Sequence, residues 1–213
     1  MKSKLTKILA FIGAITLSHS LYAGVVTGTI ESAGSGPFDV SIDAWTFSQN
    51  TAGVSTFDIL AYEFDPITST VVDLNGDGED TYLDSHIWLF QDDGVLGWDD
   101  LVADSDDSAL GSDTNGSFAD PANLASSLDP FLSLHLAAGD YILLVSSCCG
   151  NDMDFVNMVQ RHTGLPFHPR VGDYALHFSG DIELTNVSEP KSIMLFGMAC
   201  LFLLRRKIKS ICK

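Results

Sequence analysis

Between Asp73 and Asp84 the chain reads DLNGDGEDTYLD, a spacing able to gather oxygen atoms around one hard cation. Asp73, Asn75 and Asp77 stand at positions 1, 3 and 5 of a twelve-residue loop, with Gly78 at position 6 and Asp84 at position 12. Alternate positions point three oxygen side chains at one centre, and the glycine permits the reversal that brings the carbonyl of Glu79 round to it. Oxygen donors of this kind suit calcium. The closing Asp is one methylene shorter than the Glu usual at that place, which weakens affinity or favours ligation through a single oxygen. The same letters also spell a hairpin turn rich in Asn-Gly and Asp-Gly, and no helical pattern flanks the loop.

A second acidic tract holds Asp92, Asp93, Asp99, Asp100, Asp104, Asp106, Asp107 and Asp113. Such a run is ordinarily a solvated face. Carboxylates this dense repel one another without counterions, so Asp104, Asp106 and Asp107 are predicted to form a second calcium site. Catalysis is not expected. His86, His135, His162, His168 and His177 are scattered, and the chain has no His-Glu-x-x-His, no Gly-x-Ser-x-Gly and no phosphate loop. Paired carboxylates can hydrolyse glycosides when one is raised and one ionised, but nothing marks a pair, and a secreted hydrolase is the least favoured reading. Of the four cysteines, Cys200 and Cys212 lie near the C-terminal end, leaving the adjacent pair Cys148-Cys149. That pair can close a vicinal bridge in an oxidising compartment or remain two local thiols. No flanking base argues for a depressed thiol pKa, so no redox chemistry is assigned to it.

The elements that position these groups read as strands. From Gly24 to Ser188 there are two basic residues, Arg161 and Arg170, against 27 of the 28 Asp and Glu, a net of −25. A surface so acidic repels nucleic acid and anionic lipid. Hydrophobic residues make up 46% of the chain, enough to bury a core rather than leave the segment disordered. Short alternating runs recur at VVTGTI, DAWTFSQN, VSTFDILAYEF, SHIWLFQ, FLSLHLAA, DYILLVSS and DYALHFSGDIEL, separated by Gly, Asp, Asn and Pro clusters. The pattern predicts an all-β domain, an antiparallel β-sandwich or jelly roll. Any helix is short, with 154–162 the best candidate.

The two ends read as export labels. Lys2, Lys4 and Lys7, the apolar run from Ile8 to Leu17 and the small residues up to Ala23 predict a signal peptide over 1–23, leaving an acidic domain over 24–186. From 187 to 213 come Ser188, Glu189 and Pro190, a 12-residue apolar run from Ile193 to Leu204, and a basic end containing Arg205 and Arg206. As a helix that run spans about 18 Å, short of the roughly 30 Å of hydrocarbon, which predicts a temporary membrane stop with its basic end cytoplasmic. This segment resembles a PEP-CTERM sorting signal, although Ser188 stands where that family more often has Pro or Val. The resemblance implies recognition and cutting by an exosortase-type enzyme, transient membrane insertion through a short C-terminal hydrophobic helix, and delivery to the bacterial surface or beyond. An ordinary C-terminal anchor is the alternative.

Two further resemblances concern the body. The Asp73–Asp84 loop is similar to dockerin-type calcium loops. The order DAWTFSQNTAGVSTFDILAYE, DSHIWLFQDDG, LAAGDY and GDYAL resembles the bacterial pre-peptidase C-terminal domain over roughly Val40 to Leu184, with insertions at 65–82 and 113–129 and an irregular 148–170. It implies a small calcium-friendly β-sandwich used as an accessory module. The expected function is thus non-enzymatic: an exported cell-surface or matrix protein, associated with biofilm or exopolysaccharide and stabilised by calcium. The runner-up is a calcium-dependent carbohydrate-binding module using Trp45, Trp88 or Trp98, of which Trp98 is best placed because its GWDD context reads as a loop.

Overall fold

The structure is a computed structural model, and it describes residues 24–185 apart from 35, 37, 74, 75, 77, 110–116, 121–125, 151 and 163–169. The export segments over 1–23 and 187–213, and with them Ser188, Glu189, Pro190, Arg205 and Arg206, lie outside the described residues. Among the described residues no helix is long and apolar enough to cross a membrane.

In chain order the first strands are β1 (Gly24–Ile30), β2 (Val40–Ser41), β3 (Asp43–Gln49), β4 (Gly53–Leu60), β5 (Phe64–Asp65), β6 (Thr70–Val71), β7 (Ser85–Gln91) and β8 (Leu101–Ser105). There follow β9 (Ser108–Ala109), β10 (Ser126–Ser127), β11 (Phe131–Leu136), β12 (Gly139–Ser147), β13 (Asp152–Asp154), β14 (Val159–Arg161), β15 (Gly172–Ser179) and β16 (Ile182–Leu184). A four-stranded sheet runs β1-β15-β4-β11 and a five-stranded sheet runs β16-β3-β12-β7-β8, with antiparallel pairing throughout. The fold is an antiparallel β-sandwich.

Alternation explains the core. Phe57, Ile59, Leu136, Tyr174 and Leu176 of the first sheet meet Phe47, Ile87, Leu89, Leu143 and Val145 of the second in one buried cluster. A fully buried side chain of this size contributes about 1.5–3 kcal/mol. The even-numbered residues Trp88, Phe90, Ile142 and Leu144 point to the other face of the five-stranded sheet, yet three of these four are buried too. Their cover is the β13–β14 hairpin, which brings Met153, Phe155 and Met158 over them. This hairpin stands where a helix was expected over 154–162. Asp154 starts a turn as a helix cap would, its Oδ1 accepting from the N–H groups of Val156 and Asn157 at 3.2 and 3.1 Å. Met158, at φ 51°, then reverses the chain into the left-handed region after one turn.

Two details tie the sheets together. Trp45 Nε1 donates to Tyr174 Oη at 2.8 Å, and that hydroxyl donates to Asp43 Oδ2 at 2.9 Å, so β15 and β3 are joined across the sandwich. Gly28 lets the pair approach: a Cβ there would stand 2.4 Å from Tyr174 Oη and 2.5 Å from Asp43 Oδ2. The second detail is a break in a predicted strand. DYALHFSGDIEL divides at Gly180 (φ 127°), with β15 in one sheet and β16 crossing to pair with β3 in the other.

Candidate metal centre

Strand β7 lies between β12 and β8, so the residue that precedes it, Asp84, has a neighbour on each side. The pairing of Ile87 with Ser105 puts the chain beyond β8, Asp106 and Asp107, alongside the start of β7. Carboxylate oxygens of Asp84, Asp106 and Asp107 lie within 4.8 Å of one another. Two oxygens on one calcium, each at about 2.4 Å, are at most about 4.8 Å apart, so the separation fits a shared ion. Burial is graded through the cluster, from Asp84 (6% exposed) through a half-buried Asp106 to an exposed Asp107. Solvent and ions therefore reach it from one side.

Its electrostatics are those of a site short of positive charge. Asp84 Oδ1 is buried without a hydrogen-bond partner. Burial first, then repulsion from Asp106 and Asp107, pushes the Asp84 carboxyl up to about 8. Burial, followed by repulsion from Asp107 and Asp104, pushes Asp106 up to about 6. His86 does not relieve this. Burial holds its pKa down despite Asp104, and a neutral imidazole has a single N–H to give. The 3.1 Å contact of Nε2 with Asp104 Oδ2 takes that proton, and Nδ1 stands 3.6 Å from Asp106 Oδ1, beyond hydrogen-bonding range. Asp106 Oδ1 is left without a hydrogen-bond partner.

The sequence-predicted ligands are thus regrouped. Asp73 and Glu79 are exposed. Asp73 spends its carboxylate on its own loop, Oδ1 accepting from Gly76 N–H at 2.6 Å and Oδ2 from Gly78 N–H at 2.9 Å, with both glycines at positive φ. These bonds suit an Asx/Gly turn as well as the start of an ion loop; Asn75 and Asp77 lie outside the described residues. Asp84, predicted as the twelfth position of that loop, instead gathers with the second tract, and among the described residues Asp73, Glu79 and Asp84 form no cluster of ligand atoms. Asp104, predicted beside Asp106 and Asp107, is replaced there by Asp84, because its side chain contacts His86. Sequence reasoning missed that β8 runs through the acidic tract; the alternation in LVADS was the available signal.

Asp129 Oδ1 accepts from the N–H groups of Ala61 and Tyr62, both at 2.9 Å, and burial pushes its carboxyl up to about 7 against those bonds. Ser147 Oγ and His162 Nε2 lie 3.1 Å apart, but the Ser147 side chain is fully buried, where no substrate reaches it. His135 and His177 sit within β11 and β15. His168 lies outside the described residues. Cys148 and Cys149 are joined by a disulfide. Trp88 is buried and Trp45 half-buried, whereas Trp98 is 48% exposed and braced by Phe90 and Phe155, with ring centroids at 5.9 and 5.3 Å.

No family model matches this chain, and no curated protein matches it. Among solved structures it is similar to the pre-peptidase C-terminal domain of a collagenase from Bacillus anthracis, with 12% identity and a TM-score of 0.35 over 73% of this chain and 88% of that one. That overlap is too loose to transfer a ligand or a partner. The β-sandwich assignment stands on the strand pairing and the shared core.

Proposed function

We propose that this is an exported, non-enzymatic protein of the bacterial cell surface or extracellular matrix whose acidic β-sandwich is held compact by calcium. The observation that carries the reading is Asp84, a carboxylate 6% exposed with a partnerless oxygen and two more carboxylates within reach of the same ion. Three oxygen donors open to solvent on one side suit a hard cation that completes its shell with water. The ion would join the entry of β7 to the end of β8 and neutralise the charge that the fold concentrates there. A net of −25 over 24–188 makes such neutralisation valuable to the whole domain. Export is supported by the basic, apolar and small-residue order of 1–23 and by the PEP-CTERM-like order of 187–213, and a bonded Cys148–Cys149 pair is at home in an oxidising compartment. An exosortase-type enzyme is the proposed processing partner, extracellular polysaccharide the proposed surroundings, and nucleic acid is not a partner.

Equilibrium dialysis of the purified chain against calcium is expected to find a bound ion that the Asp84→Asn, Asp106→Asn double variant does not hold; a stoichiometry of zero overturns the reading. Mass spectrometry of the exported product is expected to find ends near Ala23 and Glu189, and a product retaining Ile193 to Leu204 would instead be a membrane-tethered form. A second reading, carbohydrate binding, rests on Trp98, whose braced and half-exposed ring can stack on a sugar. A glycan array that stays blank with and without calcium removes it.

A further inference from the structure

Asp84 belongs to two groups of ligand atoms at once. Toward β8 it meets Asp106 and Asp107; toward β12 it meets the sulfurs of Cys148 and Cys149, and in this second group also the three ligand atoms lie within 4.8 Å of one another. The backbone holds that second group in place, because Cys148 N–H donates to the Asp84 carbonyl at 2.7 Å, one step beyond the Ser85–Ser147 pair that ends the β7–β12 ladder. In the bonded state the sulfurs are poor ligands, since the thiolate is the species that binds metal. Parted, they are two soft donors beside a buried carboxylate, one of whose oxygens has no hydrogen-bond partner.

We propose that the reduced chain holds a thiophilic divalent cation of the zinc or cadmium class through Cys148 Sγ, Cys149 Sγ and Asp84, a site that the Cys148–Cys149 bond keeps closed. The proposal rests on the reading of Asp84 as a metal ligand and deepens it: the redox state of the pair chooses between a hard cation on three carboxylates and a soft one on two sulfurs and an oxygen. Ligands on one tetrahedral zinc sit roughly 3.5 Å apart, so the two sulfurs, joined in the oxidised chain, must swing apart on reduction to reach that spacing while Asp84 is already within reach, and water fills the fourth position. Softness makes the choice, because thiolate favours zinc-like ions where carboxylate favours calcium.

The opening step is ordinary exchange. A dithiol reductant attacks as thiolate at Cys149 Sγ, which belongs to the exposed member of the pair, and Cys148 Sγ leaves as thiolate and takes a proton. The reductant's second thiol then displaces Cys149 from the mixed disulfide. Two electrons have moved, giving two protein thiols and one oxidised cyclic disulfide. As the cation binds, both thiol protons pass to solvent. Because Asp84 cannot serve both ions fully, uptake of the soft cation weakens calcium binding, and calcium weakens uptake of the soft cation by the same factor.

The test uses the full chain with Cys200→Ser and Cys212→Ser, so that only the adjacent pair remains. The protein is reduced with a dithiol, freed of it without oxygen, and titrated with cadmium while the sulfur-to-cadmium charge-transfer absorption is followed. One cadmium per chain with a two-thiolate band is expected from the reduced protein and no band from the oxidised one. Asp84→Asn is expected to weaken cadmium binding at least about tenfold. Absence of the band, a band worth one thiolate, or unchanged affinity in Asp84→Asn overturns the proposal, and the first two of these need no substitution at the site. Calcium dialysis of the oxidised chain separates the two readings. Calcium binding without a cadmium band overturns this inference alone, whereas a cadmium band without calcium binding overturns the three-carboxylate reading and leaves the thiolate site standing.

Discussion

At Asp84 a single carboxylate is asked to tolerate burial, two acidic neighbours and an oxygen with no donor. Asn in its place keeps the shape and removes the charge. Without metal at pH 8, Asp84→Asn is therefore expected to raise stability by on the order of a few kcal/mol, at about 2–4 °C in Tm per kcal/mol for a domain of this size, and to abolish the response to calcium. For the parent chain, calcium at about 100 times its Kd is expected to add about 2.7 kcal/mol. Thermal melts with calcium and with chelator read both effects. Tyr174 makes the opposite case, a buried polar group with its partners in place. Tyr174→Phe leaves Trp45 Nε1 without that acceptor and Asp43 with the Thr29 backbone bond but not the hydroxyl, and is expected to cost about 1–3 kcal/mol in urea denaturation. It also raises the Asp43 carboxyl further, since burial already lifts it and the Tyr174 bond is the largest influence holding it down.

Among the elements, β12 shows how the sandwich departs from two simple faces. Leu143 points into the shared core and Leu144 toward the β13–β14 hairpin, and both are buried. Leu143→Ala and Leu144→Ala are each expected to cost about 2–5 kcal/mol; a near-neutral Leu144→Ala in the same denaturation experiment would mean that the hairpin does not cover that face in solution. The strands SHIWLFQ and DYILLVSS are legible in sequence because period-two alternation survives even when both faces are apolar. The hairpin is not, because an Asx turn and a helix cap begin with the same bonds, and what separates them is the left-handed Met158 and the pairing of β14 with β2.

For the molecule as a whole, the concentration of acid sets a pH dependence. Asp84, Asp129 and Asp106 have folded pKa values of about 8, 7 and 6, all above the ordinary carboxyl value. A group raised in this way stabilises the fold fully only below its unfolded value near 4, and that contribution is lost as pH rises through the folded value. The metal-free protein is therefore expected to lose Tm steadily from about pH 4 to pH 8, and saturating calcium to restore it most at the alkaline end; melts across that range with chelator and with calcium check both arms. The amino-acid sequence on its own determined the all-β class, most of the strand positions, the extreme charge and the concentration of carboxylates in two tracts, because alternation and composition are local properties of the chain. Only the tertiary structure decided which carboxylates meet. Asp84 reads as the end of one loop and Asp106 and Asp107 as part of another tract, and they come together with the Cys148–Cys149 pair because β7 is inserted between β12 and β8, a pairing between segments far apart in the chain that no local pattern records.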